Sequence, residues 1–125
     1  IRHRVEQFHA DYCAVLDAND IEAWPAFFEE NGVYRLIARD NKESGMTLCL
    51  MLCEGMGMLK DRAYAIAHTE MFAPRYVHHN VSLIRILQVG RYRDQLVLTG
   101  DRVLIREREC VFDTVVVPNC VVYPV

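Results

Sequence analysis

Histidine suits metal binding and proton transfer at neutral pH, and the sequence contains five of them. His78 and His79 are adjacent on a predicted strand, so their side chains point to opposite faces. His3 and His9 are six residues apart on a predicted helix, about 240° around its axis. Neither pair converges on one ion, so we expect structural histidines. The alternative is a metal cluster that only the tertiary structure assembles.

Acid–base chemistry in an apolar pocket is a second possibility, for which the candidates are His78 or His79 with Asp113, Tyr12 and Tyr34. Tyr12 lies on the apolar face of a predicted helix, which favours a core tyrosine whose hydroxyl is hydrogen-bonded. We expect His79 to make a core or interface hydrogen bond, and Asp113 to cap a strand or pair with an arginine. The pattern favours structural roles over a pocket enzyme.

Nucleophilic, phosphate-binding and cysteine-based sites lack their usual motifs. The sequence has no GxSxG, and its two serines are Ser44 and Ser82. The glycine pair at Gly55 and Gly57 is too sparse for a phosphate loop. No two cysteines have CxxC spacing, which favours reduced core residues over a disulfide or a zinc site. The five cysteines are Cys13, Cys49, Cys53, Cys110 and Cys120.

Composition limits the class of protein. The 125 residues are 52% hydrophobic and 25% charged, with a net charge of −3 and a pI of about 5.9. These values argue against a disordered chain, a nucleic-acid binder and a polybasic membrane anchor. No apolar run reaches the roughly 18 residues of a membrane span, and the charged N-terminal segment is unlike a signal peptide. We therefore expect one soluble, cytoplasmic domain over residues 1–125.

Two helices are predicted at the start of the chain. The first has one apolar face, made of Val5, Phe8, Tyr12, Val15 and Leu16. The second is short, carries Ile21, Trp24, Phe27 and Phe28, and is expected to end at Asn31-Gly32. A third helix is predicted over residues 58–67.

Strands are predicted over residues 33–38, 46–53, 75–87, 90–98 and 102–117. A turn-rich loop at 40–45 joins the first two as a hairpin, and Thr99-Gly100-Asp101 ends the fourth. Glu107, Arg108 and Glu109 make the fifth too polar for a buried strand, so we expect a water-facing edge or the rim of an interface there. The pattern predicts an α+β fold, with a curved, mixed but mostly antiparallel sheet forming a cone around the helices.

Five sequence motifs occur in an order typical of a known family. They are WPAFFEENGVYRLIARDN (24–41), MLKDR (58–62), RYVHHNV (75–81), GRYRD (90–94) and RERECVFDT (106–114). This series resembles the small, or beta, subunits of aromatic-ring-hydroxylating dioxygenases. Within that family it is most similar to subunits of enzymes that act on aromatic acids, such as salicylate 5-hydroxylase and terephthalate dioxygenase. The resemblance spans nearly the whole chain.

The resemblance implies a cone-shaped fold shared with scytalone dehydratase and nuclear transport factor. It implies a large, alpha, subunit that carries a Rieske 2Fe–2S cluster and a mononuclear iron, with three copies of each subunit. A ferredoxin and an NADH-dependent reductase would supply electrons for hydroxylation of an aromatic carboxylic acid by O2. The small subunit would then be structural, with no catalytic, cofactor-binding or metal-binding residues of its own.

On this interpretation the candidate residues are interface and scaffold residues. Trp24, Phe27 and Phe28 would anchor a helix, and Arg75 and His79 would make polar contacts. The strand-face contacts would be Arg91, Tyr92, Arg106 and Arg108.

The sequence departs from the family pattern at one place. Family members have a further strand and loop between the segments that match 81–87 and Gly90, whereas here LQV (87–89) joins them directly. A hairpin's length is therefore absent, and the register of the third and fourth strands is left open. Two other hypotheses stand beside the subunit hypothesis: a stand-alone lyase or isomerase using His79 and Asp113, and a homodimeric binding module with an apolar pocket.

Overall fold

The computed structural model describes residues 2–69, 79, 90–112 and 124, which form helices packed against a four-stranded sheet. The elements are α1 (Arg2–Asp17), a 3₁₀ helix (Ile21–Phe27), β1 (Phe28–Ala38), α2 (Arg39–Glu43), β2 (Met51–Glu54), α3 (Gly55–His68), β3 (Gly90–Thr99) and β4 (Arg102–Phe112). The predicted α+β class is confirmed. None of the described helices combines the length and the apolar character that crossing a membrane requires.

Helix α1 confirms the first predicted helix. Phe8, Tyr12 and Leu16 recur every four residues, so all three lie on one face and are buried against the rest of the chain. The helix ends where Asn19 adopts a left-handed φ of 59° and its N–H bonds to the Leu16 carbonyl at 3.0 Å. Asparagine tolerates this conformation better than most residues, which makes it a suitable helix terminator.

The expected helix end at Asn31-Gly32 is wrong. The second helix is a 3₁₀ helix that ends at Phe27, and Asn31-Gly32 lies inside β1, where the pairing with β4 shifts between Phe28 and Val33. A Cβ on Gly32 would lie 2.9 Å from the Glu29 carbonyl oxygen, so only glycine fits without displacing the backbone. The glycine signal therefore marks an irregularity within a strand rather than the end of a helix.

The sheet has the order β2-β1-β4-β3, with β1 and β4 parallel and both outer pairs antiparallel. The predicted hairpin of the first two strands is confirmed, although β2 is shorter than the predicted strand at 46–53. The predicted loop at 40–45 overlaps the helix α2, whose first turn holds Asp40, an acid placed where the helix dipole favours negative charge. The helix predicted over 58–67 is confirmed within α3.

The second hairpin also follows its prediction. Thr99 pairs with Arg102, leaving Gly100 and Asp101 as a two-residue turn in which Gly100 has a φ of +59°. The strand predicted over 102–117 is confirmed as far as Phe112. The strand predicted over 75–87 lies outside the described residues except for His79. Residues 113–117 and the junction between 87 and Gly90 also lie outside them.

One hydrophobic cluster joins the helices to one face of the sheet. Its fully buried members include Tyr12, Trp24, Tyr34, Leu59 and Ile105. Burying a large apolar side chain contributes about 1.5–3 kcal/mol, so this cluster is the main source of stability among the described residues.

Candidate functional site

The charged run at residues 106–109 on β4 is divided between the two faces of the sheet. Arg108 lies opposite Tyr34 of β1 and Asp94 of β3, on the face that carries the helices. Glu107 and Glu109 alternate with it and point to the other face. Arg106 is the extra residue of a bulge, because the register of β4 against β3 shifts between Glu107 and Ile105.

The expectation that this run is too polar to be buried is wrong for two of its residues. Arg108 is 0% exposed and Glu109 is 8% exposed. Burial of an arginine costs several kcal/mol unless a carboxylate and hydrogen bonds replace its hydration. The structure supplies that replacement from strands and helices that are distant in sequence.

Arg108 and Asp94 form a bidentate ion pair. Nε of Arg108 donates to Oδ1 of Asp94 at 2.9 Å, and Nη2 donates to Oδ2 at 2.6 Å. Burial lowers the pKa of Arg108, but the bonds and the charge of Asp94 outweigh that effect and raise it above its ordinary value. The guanidinium is therefore permanently charged.

Two aromatic rings enclose the same guanidinium. Its central carbon lies 4.0 Å from the centre of the Tyr12 ring and 4.6 Å from that of Tyr92. Nη2 also donates to Nδ1 of His9 at 3.3 Å. Nη1 is buried and has no hydrogen-bond acceptor among the described residues. We call Arg108, Asp94, Tyr12, Tyr92 and His9 the arginine cluster.

Beyond the Arg108–Asp94 ion pair, the other three members of the arginine cluster, Tyr12, Tyr92 and His9, are neutral at neutral pH. Burial raises the pKa of Tyr12 to about 12, and it raises the pKa of Tyr92 well above the usual range. Burial lowers the pKa of His9, and the positive charge of Arg108 lowers it further. The two tyrosine hydroxyls stay protonated near pH 7 and His9 is held neutral beside Arg108, so the arrangement suits structural support better than acid–base catalysis.

The prediction that the Tyr12 hydroxyl is hydrogen-bonded is also confirmed. Trp24 Nε1 donates a hydrogen bond of 2.9 Å to the Tyr12 hydroxyl, and both side chains are 0% exposed. Trp24 then packs edge-to-face on Phe28 and Tyr34, with ring centres 5.2 Å apart in each case. This aromatic layer fills the space between α1 and the sheet.

His79 makes the hydrogen bond expected of it. Its Nδ1 lies 2.5 Å from Oδ1 of Asp17, and its backbone N–H donates to both Asp17 oxygens at 3.0 Å. Asp17 is the last residue of α1, so the pair holds residue 79 against the end of that helix. Asp113, the partner assigned to His79 in the lyase hypothesis, lies outside the described residues.

The remaining candidate residues occupy different environments. Trp24 and Phe28 are core residues. Phe27 is half-buried, and its ring centre lies 5.4 Å from that of Tyr12. Tyr92 belongs to the arginine cluster. Arg106 is exposed and pairs with Glu29 at 2.7 Å. Arg75, His78 and the side chain of Arg91 lie outside the described residues.

A surface cleft of about 480 Å³ lies beside this core, and the sequence analysis did not anticipate it. Phe8, Phe27 and Val103 form its apolar part, while Arg4 and Asp101 are among its charged residues. Arg4 bonds to the Gly100 carbonyl at 2.9 Å, which ties α1 to the β3–β4 turn. The lining comes from three separate stretches of chain, so no local pattern could have indicated it.

The described residues do not fit an iron group. Among residues 2–69, 79, 90–112 and 124, no three His, Cys, Asp or Glu side chains lie together as metal ligands would. Burial raises the pKa of the Cys13, Cys53 and Cys110 thiols, so these cysteines stay protonated, whereas metals bind the thiolate.

Comparison with known proteins agrees with the motif series, although no family model matches the chain. The small subunit of anthranilate 1,2-dioxygenase from Burkholderia cepacia is 22% identical over 91% of this chain and 88% of its own length. Subunit beta 1 of the terminal oxygenase component of terephthalate 1,2-dioxygenase from Comamonas sp. is 22% identical over 97% and 96%. That alignment spans 148 positions, more than the 125 residues here, so the relative has residues without a counterpart in this chain.

Solved structures extend the comparison. A chain from Novosphingobium aromaticivorans described as the beta subunit of an aromatic-ring-hydroxylating dioxygenase has a TM-score of 0.75 and 26% identity, covering 97% of this chain and 94% of its own. A structure from the same organism described as a scytalone dehydratase has a TM-score of 0.59 and 16% identity, covering 90% and 84%, which shows a shared fold alone. The predicted resemblance to beta subunits of aromatic-ring-hydroxylating dioxygenases is thus confirmed.

Proposed function

We propose that this chain, which is similar along nearly its whole length to those beta subunits, is the structural small subunit of an aromatic-ring-hydroxylating oxygenase. In this proposal the chain carries no catalytic residue. It acts as part of an oxidoreductase complex in the cytoplasm by holding and shaping the assembly.

The observation that carries the structural role is the packing of side chains between the described helices and the sheet. In folds of this kind a small-molecule site would occupy the space between the helices and the sheet. Here that space holds the arginine cluster and the aromatic layer around Trp24, and the charge of Arg108 is already matched by Asp94. A core packed with side chains in this way suits a protein that stabilises an assembly better than one that binds and converts a substrate.

The proposed partner is a large, alpha, subunit that carries the Rieske 2Fe–2S cluster and the mononuclear iron. Three copies of each subunit would form the oxygenase, with a ferredoxin and an NADH-dependent reductase delivering electrons. The relatives are named as small or beta subunits, which supports a multi-subunit assembly. The described residues of this chain hold no group of three possible metal ligands, which supports placing both iron groups on the partner.

The proposed substrate class is an aromatic carboxylic acid that resembles salicylate or terephthalate. Two relatives are named for anthranilate and terephthalate, both of which are aromatic acids. The substrate would be hydroxylated with O2 on the large subunit, so its identity is to be tested on the complex.

Co-expression with the large subunit of the same oxygenase tests the proposal. Native mass spectrometry should find both chains in one complex with equal copy numbers, and iron and acid-labile sulfide should accompany the complex. The small subunit purified alone, as the control, should contain neither. A metal-free monomer or homodimer, alongside a large subunit that purifies by itself, would contradict the proposal and return attention to the His79–Asp17 pair.

A further inference from the structure

The surface cleft of about 480 Å³ lies where α1, the end of the 3₁₀ helix and the start of β4 meet. Its volume falls within the range of roughly 300–1,000 Å³ that is typical of small-molecule sites. Phe8, Phe27 and Val103 form its apolar part, and its basic residues include Arg4 and Arg102. We call this site the α1–β4 cleft.

The apolar part of the α1–β4 cleft is largely aromatic and is held in place by packing. The rings of Phe8 and Phe27 pack edge-to-face, with centres 5.6 Å apart. Phe27 packs in the same way on Tyr12, so the two phenylalanines lie between the cleft and the arginine cluster. Aromatic pairs gain free energy beyond the area that they bury, so this surface favours a ligand with an aromatic ring.

Two arginines of the cleft have no carboxylate partner among the described residues. Nη2 of Arg4 donates to the Gly100 carbonyl at 2.9 Å, and Nη2 of Arg102 donates to the Ala26 carbonyl at 3.4 Å. These bonds position the guanidinium groups without neutralising them, and each group keeps further N–H donors. Because a guanidinium binds a carboxylate through parallel hydrogen bonds, both arginines are available to a carboxylate ligand. Ion pairs with carboxylates are made instead by Arg2, Arg35, Arg39, Arg106 and Arg108.

Two aspartates of the cleft narrow the choice of anion. Asp11 and Asp101 both line it and are exposed, and Oδ1 of Asp11 accepts a hydrogen bond from Nε2 of Gln7 at 2.8 Å. Carboxylates repel a ligand of high negative charge, but they accept hydrogen bonds from a hydroxyl or amino group. A ligand with one negative charge and a separate hydrogen-bond donor therefore complements both kinds of side chain.

We propose that the α1–β4 cleft binds an aromatic monocarboxylate whose ring carries a hydroxyl or amino group. The carboxylate pairs with Arg4 and Arg102, the ring packs on Phe8 and Phe27, and the ring substituent donates to an aspartate of the cleft. This inference goes beyond the proposed function, because the site lies wholly on this chain and needs neither iron nor a partner. Since most of its charged residues are exposed, we expect a dissociation constant on the order of 1 mM.

A ligand-observed NMR titration of the full chain, alone and in the co-expressed complex, tests the ligand class. The probe is 3-hydroxybenzoate, whose hydroxyl is too far from its own carboxylate to bond to it. Benzoate lacks the donor and should bind several-fold more weakly, and 3-hydroxybenzamide lacks the charge and should bind at least tenfold more weakly. Raising the salt to 1 M should weaken binding of 3-hydroxybenzoate, because exposed charges are screened.

Paired substitutions test the site. Arg4→Gln with Arg102→Gln should weaken binding of 3-hydroxybenzoate at least tenfold, because both cations that face the carboxylate are lost. The matched control is Arg2→Gln with Arg106→Gln, which makes the same change on the same two elements, at side chains that are 79% and 58% exposed and do not line the cleft. The control should bind like the unsubstituted chain. Circular dichroism and thermal unfolding check that both variants fold.

A second pair tests the role of the ring substituent. Asp11→Ala with Asp101→Ala should abolish the preference for 3-hydroxybenzoate over benzoate, because the acceptors for the hydroxyl are gone. The same variant should bind benzoate more tightly, since two negative charges are removed from the cleft. An unchanged preference would overturn the assigned donor.

The outcomes separate the possible failures. A folded full chain that shows no saturable binding of 3-hydroxybenzoate overturns this inference and leaves the proposed function standing. Unchanged binding by the folded Arg4→Gln, Arg102→Gln variant overturns the site. Binding by the isolated chain that is lost in the complex would assign the cleft to a contact between subunits and overturn the proposed ligand. Failure of the chain to bind the large subunit overturns the proposed function alone.

Discussion

Two neighbouring charged residues on opposite faces of β4, Arg108 and Glu107, are in opposite situations. On the helix-covered face, Arg108 is 0% exposed, bonded twice to Asp94 and enclosed by two tyrosine rings. On the other face, Glu107 pairs with Arg35, and both side chains remain about one-third exposed, at 33% and 32%. One strand thus carries two ion pairs of the same chemical type and of very different exposure.

This difference shows that the contribution of an ion pair to stability depends on its hydration more than on its residue types. A partly exposed pair such as Arg35–Glu107 contributes about 0–1 kcal/mol, because water stabilises its separated charges almost as well. Breaking a buried pair leaves one charge without compensation and costs several kcal/mol. The arginine cluster therefore specifies how α1 packs on the sheet, while the Arg35–Glu107 pair contributes little to stability.

The largest expected effect comes from removing the buried cation. Arg108→Met should lower the free energy of unfolding by about 3–5 kcal/mol, because Asp94 would remain buried without its partner. Urea unfolding followed by circular dichroism measures this change. Arg106→Met is the matched control: the same substitution two residues away, at an exposed bulge, should leave unfolding unchanged within error.

A double variant sharpens the interpretation of that loss. Arg108→Met with Asp94→Leu removes both charges, and should recover most of the stability that the single variant loses. If the double variant is as unstable as the single one, the packing of the arginine on Tyr12 and Tyr92 matters more than the charge balance, and the contrast between the two faces loses its electrostatic basis.

Alkaline pH should have the next largest effect on the free energy of unfolding, through groups on the helix-covered face of the sheet. Burial raises the pKa of Tyr12 from 10 to about 12, and that of Cys110 from 9 to about 12. Folding thus favours the protonated forms, so their contribution is complete below pH 9–10 and is lost as pH rises towards 12. Between its pKa in the unfolded chain and its higher pKa in the folded chain, each group should lower the free energy of unfolding by about 1.4 kcal/mol per pH unit.

Urea unfolding between pH 8 and pH 11 measures this dependence, and Tyr12→Phe tests its assignment. The variant should be less stable by about 1–3 kcal/mol at pH 8, because Trp24 Nε1 loses its acceptor. Its stability should then decline less steeply above pH 10 than that of the unsubstituted chain. Equal slopes would remove Tyr12 from the explanation.

The smallest expected effect lies on the outer face. Glu107→Gln should lower the free energy of unfolding by about 1 kcal/mol or less, and 1 M salt should shrink the difference further, since the Arg35–Glu107 pair is open to water. The same urea titration at low and high salt measures it. A loss of stability as large as that of Arg108→Met would contradict the expected difference between the buried and the exposed ion pair.

Local patterns were sufficient for most of the secondary structure. The four-residue repeat of Phe8, Tyr12 and Leu16 predicts α1, and Gly100-Asp101 predicts the second hairpin. These features depend on residues close in sequence, where backbone preferences and periodicity act directly. The Asn31-Gly32 signal misled because its meaning depends on β4: a side chain at Gly32 would also lie 3.1 Å from the carbonyl oxygen of Ile105.

The candidate site depended on contacts that no local pattern contains. Arg108 meets Asp94 fourteen residues away and His9 ninety-nine residues away. Whether a strand arginine is exposed or buried depends on which face it occupies and on what covers that face. The exposure of Leu50 and Leu52 is likewise a consequence of β2 lying at the end of the sheet.

The sequence by itself therefore determined the α+β class, most helices and strands, and the resemblance to dioxygenase beta subunits, because periodicity and ordered motifs are properties of the chain as written. Only the tertiary structure decided that Arg108 is buried, that aromatic side chains pack between the described helices and the sheet, and that Leu48 and Leu50 are exposed. The physical reason is that burial and desolvation depend on strand register and on the order of strands, which bring distant residues together.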